Sequence, residues 1–456
     1  MSMLMLATDL TWARSQMAFT LGTHIVLACL GVGFPAIMLI ANWLGVRRGD
    51  ADALLLARRW SKVVAVTFAV GVVTGTVLSF EFGILWPGLF DRFGEVIGLP
   101  FAIEGIFFFL EAIFIGIYLY GWDRLSPRAH LASGVPIVIS GIGGAAAVVS
   151  ANAWMNQPGG FELDAAGRVT DVDPLRVMFN HATPYEVPHM ILAAYMVAGF
   201  LAASVYAVGM LRGRRDRYHR LGLAIPFTVA ALATPVQLFV GDVAARAIMH
   251  DQPSKYASMA YVTKTSTHVP EYLFGVYDAS TGDVSAGVRI PDLNSLLAGF
   301  SPNTEVIGLD QVPPDERPPS PTLLHWCFDV MVGIGTALLV LCAWFGWSMW
   351  RRRGPPTSRW FLRAAAVSGV AAVVALESGW ILTEVGRQPW IVYGVMRTAD
   401  AVTDAGGVAV SFWAIVAGYG VLFTTAILVV RGMTRRWRVG EDVAVPYSPE
   451  AAERPS

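Results

Sequence analysis

Residues 375–390 read Ala-Leu-Glu-Ser-Gly-Trp-Ile-Leu-Thr-Glu-Val-Gly-Arg-Gln-Pro-Trp, an apolar run that ends in charged and aromatic residues. A charged side chain at membrane depth costs roughly 2.5–3.5 kcal/mol on insertion scales, so acids here indicate a site. Glu377 and Glu384 are two helical turns apart and can share one helix face. Gly386 and Pro389 predict the helix end. The alternative is an interfacial helix end with an aromatic belt, and the rest of the chain argues against it.

The composition predicts a polytopic membrane protein. The 456 residues are 55% hydrophobic and 15% charged, with a mean hydropathy of +0.53, which is too apolar for a soluble protein. The net charge of −1 indicates no nucleic-acid partner. The three cysteines lie in apolar runs without a Cys-x-x-Cys pair, which argues against disulfides, thiolate metal sites and covalent haem attachment. The N-terminus lacks a cleavable signal pattern, so we expect the first apolar run to be retained.

Nine apolar runs approach the length of about 20 residues that a bilayer span requires. They lie near 15–42, 62–80, 100–121, 134–151, 187–211, 221–244, 323–349, 360–384 and 408–430. We therefore predict an all-α membrane protein with nine transmembrane helices. Basic residues cluster in alternate connections, near 47–62, 124–128, 212–220, 351–363 and 431–454. The positive-inside rule places these connections and the C-terminus in the cytoplasm and the N-terminus outside.

These spans divide the chain into four parts. Residues 1–244 hold helices 1–6, and residues 323–438 hold helices 7–9. Between them, 245–322 form a long Pro-rich outer loop, and a loop of this length is usually functional or disordered. The polar tail, 439–456, is predicted to be disordered and cytoplasmic.

Several polar side chains lie inside the predicted spans. Glu104 and Glu111 are seven residues apart on one face of the third span and resemble a proton relay, although paired structural carboxyls are an alternative. His24 lies in the first span, ten residues after Arg14. A lone membrane histidine ligates a cofactor or simply hydrogen-bonds a neighbouring helix, and the residues alone leave this open.

A histidine and a methionine lie toward the outer ends of two other spans. His189 follows Pro188 at the start of the fifth span, and Met331 lies near the start of the seventh. An imidazole and a thioether from facing helices can ligate haem iron, although a membrane methionine is normally a packing residue. His181 and His325 are rival ligands. The candidate ligands and the acids of the third span all lie in the outer half of the bilayer. Protons drawn from the cytoplasm would therefore need a polar path through the inner half of the bilayer.

Together these residues resemble subunit I of the cytochrome bd-type quinol oxidases, from Arg14 to about Arg431. The shared markers are Arg14-x-Gln16 with His24, Ala102-Ile103-Glu104, Asn152-Ala153-Trp154-Met155, His189 with Tyr195, Gly241-Asp242, Gln252-Pro253-x-Lys255, Asp329-Val330-Met331-x-Gly333 and Gly386-Arg387-Gln388-Pro389-Trp390. The last block is the most specific of them.

The resemblance implies a haem-containing subunit of a terminal oxidase in the bacterial cytoplasmic membrane. Such an enzyme oxidises ubiquinol or menaquinol at the outer face and reduces dioxygen to water with protons from the cytoplasm. It contains a low-spin haem b, a high-spin haem b, and haem d or a third haem b. It works with a second membrane subunit, subunit II, and in some members with a small single-span subunit.

The resemblance also assigns roles to residues. His189 and Met331 correspond to the ligands of the low-spin haem b iron, and His24 and Glu384 to ligands of the high-spin haem irons, without deciding which ligand holds which haem. The remaining roles are cofactor binding for Arg14 and Asn152, proton delivery for Glu104 and Glu111, reaction at the haem pocket for Trp380, Arg387 and Trp390, and quinol binding for Lys255. Arg14 and Arg387 also suit haem propionates by charge.

One position departs from the family pattern. Relatives carry a glutamate five residues after the lysine of the quinol motif, and Ala260 occupies that position here, with Glu271 as the candidate replacement. Lys255 remains. Asp329, beside Met331, stands where some relatives have an arginine and suggests the cyanide-insensitive branch.

Two other functions use parts of the same pattern. A proton- or ion-coupled transporter explains Glu104 and Glu111 but gives no role to His189 or Met331, and no matching pair of broken helices is evident in the sequence. A haem-binding electron carrier retains that ligand pair but has no use for His24. The oxidase accounts for all of these residues.

Overall fold

The structure is a computed structural model that describes residues 2–278, 280–438 and 445–447. Within this part of the chain, nine helices are long and apolar enough to cross a membrane, as predicted. They are α1 (Ser2–Arg48), α2 (Ala51–Leu85), α3 (Pro87–Gly121), α4 (Pro127–Ser133) continued by α5 (Val135–Asn156), α7 (Thr183–Leu211), α8 (Arg217–Asp251), α11 (Pro321–Arg352), α12 (Arg359–Arg387) and α13 (Val408–Arg438). The all-α class is confirmed.

Most of these helices extend beyond the apolar runs that predicted them. The second run was expected near 62–80, and its helix occupies Ala51–Leu85. The third was expected to begin near 100, but α3 begins at Pro87 and contains Pro100. A hydropathy window detects only the part of a helix that matches the hydrocarbon layer, whereas helical hydrogen bonding continues into the polar boundary on either side.

The basic ends of the helices are capped and paired. Asp50 accepts a hydrogen bond from the Ala53 N–H at the start of α2, at 3.3 Å, and its carboxylate also pairs with Arg217 at the start of α8. Arg58 of α2 bonds Asp123 after α3, at 2.8 Å. These contacts gather the basic clusters at one end of the bundle. That this end faces the cytoplasm stays a prediction.

The centre of the bundle is built on α7, which packs against α1, α5, α8 and α12. Small residues allow close approach: a Cβ on Gly33 of α1 would lie 2.7 Å from the Ala198 Cβ of α7. Farther along, Phe227 of α8 packs against Phe345 of α11 with ring centroids 4.6 Å apart. Outward side chains of α13, such as Val410 and Val421, are exposed, as expected of a surface that faces lipid or another subunit.

The connection between α5 and α7 contains a short hairpin and a short helix. Its strands are β1 (Glu162–Leu163) and β2 (Val169–Thr170), and the helix is α6 (Pro174–Met178). A second small ribbon follows α12, formed by β7 (Trp390–Val392) and β8 (Met396–Arg397). Tyr393 N donates to Met155 O at 2.9 Å, so this ribbon is joined to the end of α5.

The long loop between α8 and α11 has its own secondary structure. Helix α8 continues past the predicted boundary at 244 to Asp251. The elements that follow are α9 (Pro253–Met259), β3 (Glu271–Leu273), β4 (Val276–Tyr277), β5 (Val284–Ser285), β6 (Val288–Ile290) and α10 (Leu293–Gly299). Strand β3 pairs antiparallel with β6, and β4 with β5 between them, so the two pairs form successive parts of one hairpin.

The predicted disordered tail, 439–456, lies outside the described residues except for 445–447. Within that short piece, Tyr447 Oη lies 2.7 Å from Nδ1 of the buried His130 on α4. The Tyr447 ring also lies against Trp122, with centroids 5.8 Å apart. Tyr447 of the tail therefore packs against the basic end of the bundle.

Candidate functional site: polar residues at the helix ends

The stretch at the end of α12 joins three helices through hydrogen bonds. Arg387 Nη2 donates to Glu384 Oε2 at 2.5 Å, and Asn152 Nδ2 of α5 donates to Glu384 Oε1 at 2.9 Å. Arg14 Nη2 of α1 donates to Gln388 Oε1 at 2.7 Å. A carboxylate has about four lone-pair sites, so Glu384 keeps acceptor capacity for a further ligand. Three hydrogen bonds thus hold four of the predicted site residues at the end of α12: Glu384, Arg387 and Asn152 contact one another, and Arg14 contacts the neighbouring Gln388.

The two tryptophans of the stretch lie in different surroundings. Trp380 is half-buried and packs against the cluster of apolar side chains at the bundle centre. Trp390 begins β7, pairs with Arg397 of β8, and has the Arg397 guanidinium 5.1 Å from its ring centroid. Trp390 therefore belongs to the ribbon after the helix, whereas Trp380 lies within the membrane bundle.

His24 of α1 faces α2 at a place without large side chains. Its Nδ1 lies 2.9 Å from Thr74 Oγ1, and a Cβ on Gly75 would lie 3.1 Å from its Cε1. Nε2 is the nitrogen that remains for a metal. On another side of α1, Oε2 of Glu377 lies 3.2 Å from the Cβ position of Gly22. Glu377, the first acid of the opening stretch, therefore lies beside α1 at Gly22, two residues before His24 in sequence.

His189 and Met331 each lie opposite a glycine. Nε2 of His189 lies 3.2 Å from the Gln237 amide nitrogen on α8, while its Nδ1 is buried and has no hydrogen-bond partner within the described residues. A Cβ on Gly241 would lie 3.2 Å from His189 Cε1, and a Cβ on Gly379 of α12 would lie 2.8 Å from Met331 Sδ. Both candidate ligands therefore face a position on the neighbouring helix, α8 or α12, that carries no side chain.

The two rival histidines are engaged elsewhere. The side chain of His181 is 82% exposed and lies 3.7 Å from the Asp251 carboxylate. His325 is fully buried, with Nδ1 2.6 Å from Met259 O and its ring stacked on Tyr261 at 3.9 Å. His181 lies at the surface, so His189 is the better candidate of that pair. His325, the rival of Met331 on the same helix, is held against the loop by Met259 and Tyr261.

The acids of α3 lie at its contact with α5. Glu111 is 9% exposed, and its Oε1 is buried without a hydrogen bond to any group in the described part of the chain. That oxygen lies 3.7 Å from the Cβ position of Gly141, which in turn lies 3.5 Å from Gly31 O of α1. Glu104 is half-buried, two turns away on the same helix. Glu111 thus carries an unpaired polar atom at the junction of three helices.

Comparison with known proteins identifies the family. A family model described as cytochrome bd terminal oxidase subunit I matches residues 12–437. The chain belongs to this family. Its members are quinol:oxygen oxidoreductases with haem, so the transporter and the electron carrier without oxygen chemistry no longer apply. Subunit I of a bd oxidase implies a partner subunit in a membrane complex.

Individual relatives match over almost their whole length. The putative cytochrome bd menaquinol oxidase subunit I of Bacillus subtilis (strain 168) is 34% identical over 441 residues, which is 95% of this chain and 98% of the relative. The cytochrome bd ubiquinol oxidase subunit 1 of the same organism is 30% identical over 407 residues, 87% of this chain and 86% of the relative. The bd oxidase structure from Geobacillus thermodenitrificans aligns with a TM-score of 0.88 at 39% identity, covering 94% of this chain and 98% of that one.

The polar groups of this bd oxidase subunit fit haem. His189 offers a buried, unpaired ring nitrogen, and Met331 a thioether against a bare helix wall. Two further nitrogens of Arg387, Nε and Nη1, are buried and lack hydrogen-bond partners among the described residues. Such donors suit a carboxylate like a haem propionate.

The residue predicted to bind quinol faces inward. Lys255 of α9 is 2% exposed, and its Nζ donates to Asn156 Oδ1 at 3.1 Å. A Cβ on Gly386 would lie 2.8 Å from Lys255 Cγ, so the side chain runs along the end of α12. This burial lowers the pKa of the Lys255 ammonium. The lysine is therefore oriented toward α5 and α12 and away from the loop surface.

Glu271, the candidate replacement for the missing glutamate, is buried within the loop. Asn294 Nδ2 of α10 donates to Glu271 Oε2 at 2.7 Å, and Tyr256 Oη donates to Asn294 Oδ1 at 3.4 Å. Burial raises the pKa of Glu271 to about 7. Ala260 is also buried, at 2% exposure. Glu271 thus joins β3 to α10 and, through Asn294, to the residue that follows Lys255.

Sequence reasoning missed several polar partners. Gln16 Nε2 donates to Glu81 Oε1 at 2.9 Å, and Glu81 lies just past the predicted end of the second span. Glu186 accepts from Asn156 Nδ2 at 3.1 Å, and both residues lie at helix ends that were taken as loop. A search for acids within a turn of each apolar run would have found both glutamates.

Proposed function

We propose that this chain oxidises quinol at its extracytoplasmic face and transfers the electrons to dioxygen, which is reduced to water with cytoplasmic protons. His189 and Met331 would hold a low-spin haem b. His24 and Glu384 would hold a high-spin haem b and haem d, or a third haem b. The observation that carries this proposal is that each candidate ligand of the low-spin haem faces a glycine on a neighbouring helix: His189 faces Gly241, and Met331 faces Gly379.

The ligand chemistry matches two different tasks. When bound, haem iron supplies one-electron transfer and the activation of dioxygen. A His and Met pair closes both faces of an iron, which suits electron transfer, whereas a single His or Glu leaves one face for dioxygen. Arg387 and Asn152 hold the Glu384 carboxylate in one orientation, through contacts at 2.5 and 2.9 Å.

Proton supply is assigned to α3. Glu111 would take up cytoplasmic protons and pass them along the same helix face to Glu104, because its buried Oε1 is free of the hydrogen bonds that would hold a carboxylate charged. Arg14 and Arg387 would neutralise propionates. The location is a bacterial cytoplasmic membrane, with a second subunit as partner and in some complexes a small single-span subunit. The relatives' names divide between menaquinol and ubiquinol, and either is a candidate substrate.

Absorption spectroscopy of the purified complex tests this function. A reduced-minus-oxidised spectrum should contain a low-spin haem b band and a band that moves under carbon monoxide. A red-shifted chlorin band among those that move would assign haem d, and haem b bands alone would assign a third haem b. A folded complex without haem would refute the proposal.

A single substitution tests the low-spin ligand pair. Met331→Leu should convert the low-spin haem to high spin, because leucine cannot ligate iron. Met349→Leu is the matched control, since Met349 is in the same helix and 37% exposed. A low-spin spectrum that survives Met331→Leu would mean that another residue is the ligand.

A further inference from the structure

Polar side chains from three elements meet beneath the long loop. Asn156, at the end of α5, donates through Nδ2 to Glu186 Oε1 of α7 at 3.1 Å and accepts at Oδ1 from Lys255 Nζ of α9 at 3.1 Å. Gln252 Nε2 donates to the Asn156 backbone oxygen at 2.7 Å and holds the bridge from the other side. The asparagine therefore connects a carboxylate to an ammonium group, and we name these three residues the Glu186 bridge.

Glu186 is the most exposed of the three residues of the bridge. Lys255 and Asn156 are almost fully buried, at 2% and 1% exposure, whereas Glu186 is half-buried. A group that receives a proton from a substrate must meet it directly or through a short chain of water. Ala260 supplies no carboxylate, and Glu271 is enclosed within the loop by Asn294. Glu186 is thus the best exposed acid attached to the family's quinol-motif lysine.

The charges around Glu186 suit reversible protonation. Lys255 on α9 and Arg387 on α12 are the nearby cations, and Glu384 on α12 is a further carboxylate. Tyr185, the preceding residue of α7, adjoins both Glu186 and Asp251 of α8. Two cations thus face two glutamates. Protonation of Glu186 would change the net charge of this group by one, and the Asn156 amide can hydrogen-bond to the glutamate in either form.

Glu186 also lies close to the proposed point of electron entry. It precedes His189 by three residues in α7, so the two side chains lie on neighbouring positions of one face. The axial separation is about 4.5 Å at 1.5 Å per residue. A donor that releases a proton and an electron could therefore deliver both within one helical turn.

We propose that Glu186 accepts the proton that quinol releases on oxidation and that Lys255, through Asn156, stabilises the glutamate in its charged form between turnovers. This proposal rests on the proposed function. In each step a quinol O–H bond breaks, its proton goes to the Glu186 carboxylate, and one electron leaves for the oxidase reaction, in which dioxygen is the final oxidant. Two steps convert quinol to quinone, and Glu186 returns each proton to the outer face.

Two electron donors separate this role from a structural one. Tetramethyl-p-phenylenediamine gives up an electron and no proton, whereas quinol gives up both. In the complex with its partner subunit, Glu186→Gln should lower quinol-driven oxygen consumption by roughly 100-fold and leave phenylenediamine-driven consumption and the haem spectrum unchanged. Glu186→Asp, which keeps the acid, should restore much of the quinol activity. Glu162→Gln, at an exposed carboxylate on β1, is the matched control and should change neither.

Infrared difference spectroscopy supplies a readout apart from turnover. The reduced-minus-oxidised spectrum should contain a carboxyl C=O band that shifts in heavy water and is lost in Glu186→Gln but kept in Glu162→Gln. If Glu186→Gln assembles without haem, Asn156→Ala takes its place, because it breaks the bridge while leaving the carboxylate.

Several results would overturn the proposal. Equal losses with both donors would mean a structural role, and unchanged quinol activity would mean that the proton leaves elsewhere. Failure of the wild-type complex to consume oxygen with either donor would instead refute the proposed function, so the two failures are distinguishable.

Discussion

Replacing Gly379 with alanine tests how closely Met331 is confined. A Cβ at position 379 would lie 2.8 Å from Met331 Sδ, whereas non-bonded heavy atoms prefer about 3.5–4.0 Å. The sulfur must therefore move by roughly 1 Å. Methionine has three rotatable side-chain bonds and can yield, and alanine favours a helix by about 1 kcal/mol over glycine. The fold should thus survive while the sulfur changes position.

A shift of this size is large for a metal ligand, because functional coordination distances hold within about 0.2 Å. We expect Gly379→Ala to lose the low-spin haem band and to lower quinol-driven oxygen consumption by roughly 100-fold. The assay is the reduced-minus-oxidised spectrum of the purified complex, together with oxygen consumption.

Gly346→Ala in α11 is the control, since it lies outside the Met331 motif and no neighbouring group among the described residues is found within 4 Å of its Cβ position. It should keep the wild-type spectrum and turnover. If Gly379→Ala also retained a full low-spin band and wild-type turnover, Met331 would not be the confined ligand that we infer.

Three further predictions concern acids and the loop. Glu111→Gln should slow oxygen consumption while the haems remain bound. Glu95→Gln, at an exposed carboxylate of the same helix, is the control and should not slow it. Equal rates for the wild type and Glu111→Gln would remove Glu111 from the proton path. Burial raises the Glu271 pKa from 4.5 to about 7, so its stabilisation of the folded loop is complete below pH 4.5 and lost as pH rises through 7. Glu271→Gln should remove this part of the pH dependence of the melting temperature, and an unaltered dependence would contradict it. Ala260→Glu restores the relatives' residue at a buried position, so we expect a loss of stability of about 1–3 kcal/mol, read as a lower melting temperature; an unchanged or higher value would mean that the site has room and a partner for the acid.

The sequence predicted the membrane architecture well because each span is encoded locally. An apolar run of sufficient length must form a helix in lipid, since only internal hydrogen bonds can satisfy its backbone. The nine predicted runs therefore correspond to the nine long helices of the described chain. Helix ends were less predictable: capping by Asp50 and hydrogen bonding through residue 85 extend α2 beyond its apolar run.

The candidate ligands were also accessible from the sequence, because His24, His189, Met331 and Glu384 stand out as polar or sulfur-containing groups within recognisable motifs. Their supporting partners did not stand out. Thr74 beside His24, and Gly241 beside His189, are unremarkable in sequence and gain significance only from the helix that faces them.

Composition and hydropathy by themselves determined the membrane class and the number of spans of this protein, and the resemblance of its motifs indicated the family. Only the tertiary structure decided that Lys255 faces inward, that Asn156 joins it to Glu186, and that Asn152 holds Glu384. The physical reason is the separation along the sequence between the groups that interact. A helix or a membrane span depends on neighbouring residues, whereas the Asn152–Glu384 hydrogen bond joins side chains 232 residues apart. Contacts of that kind exist only once the helices have packed.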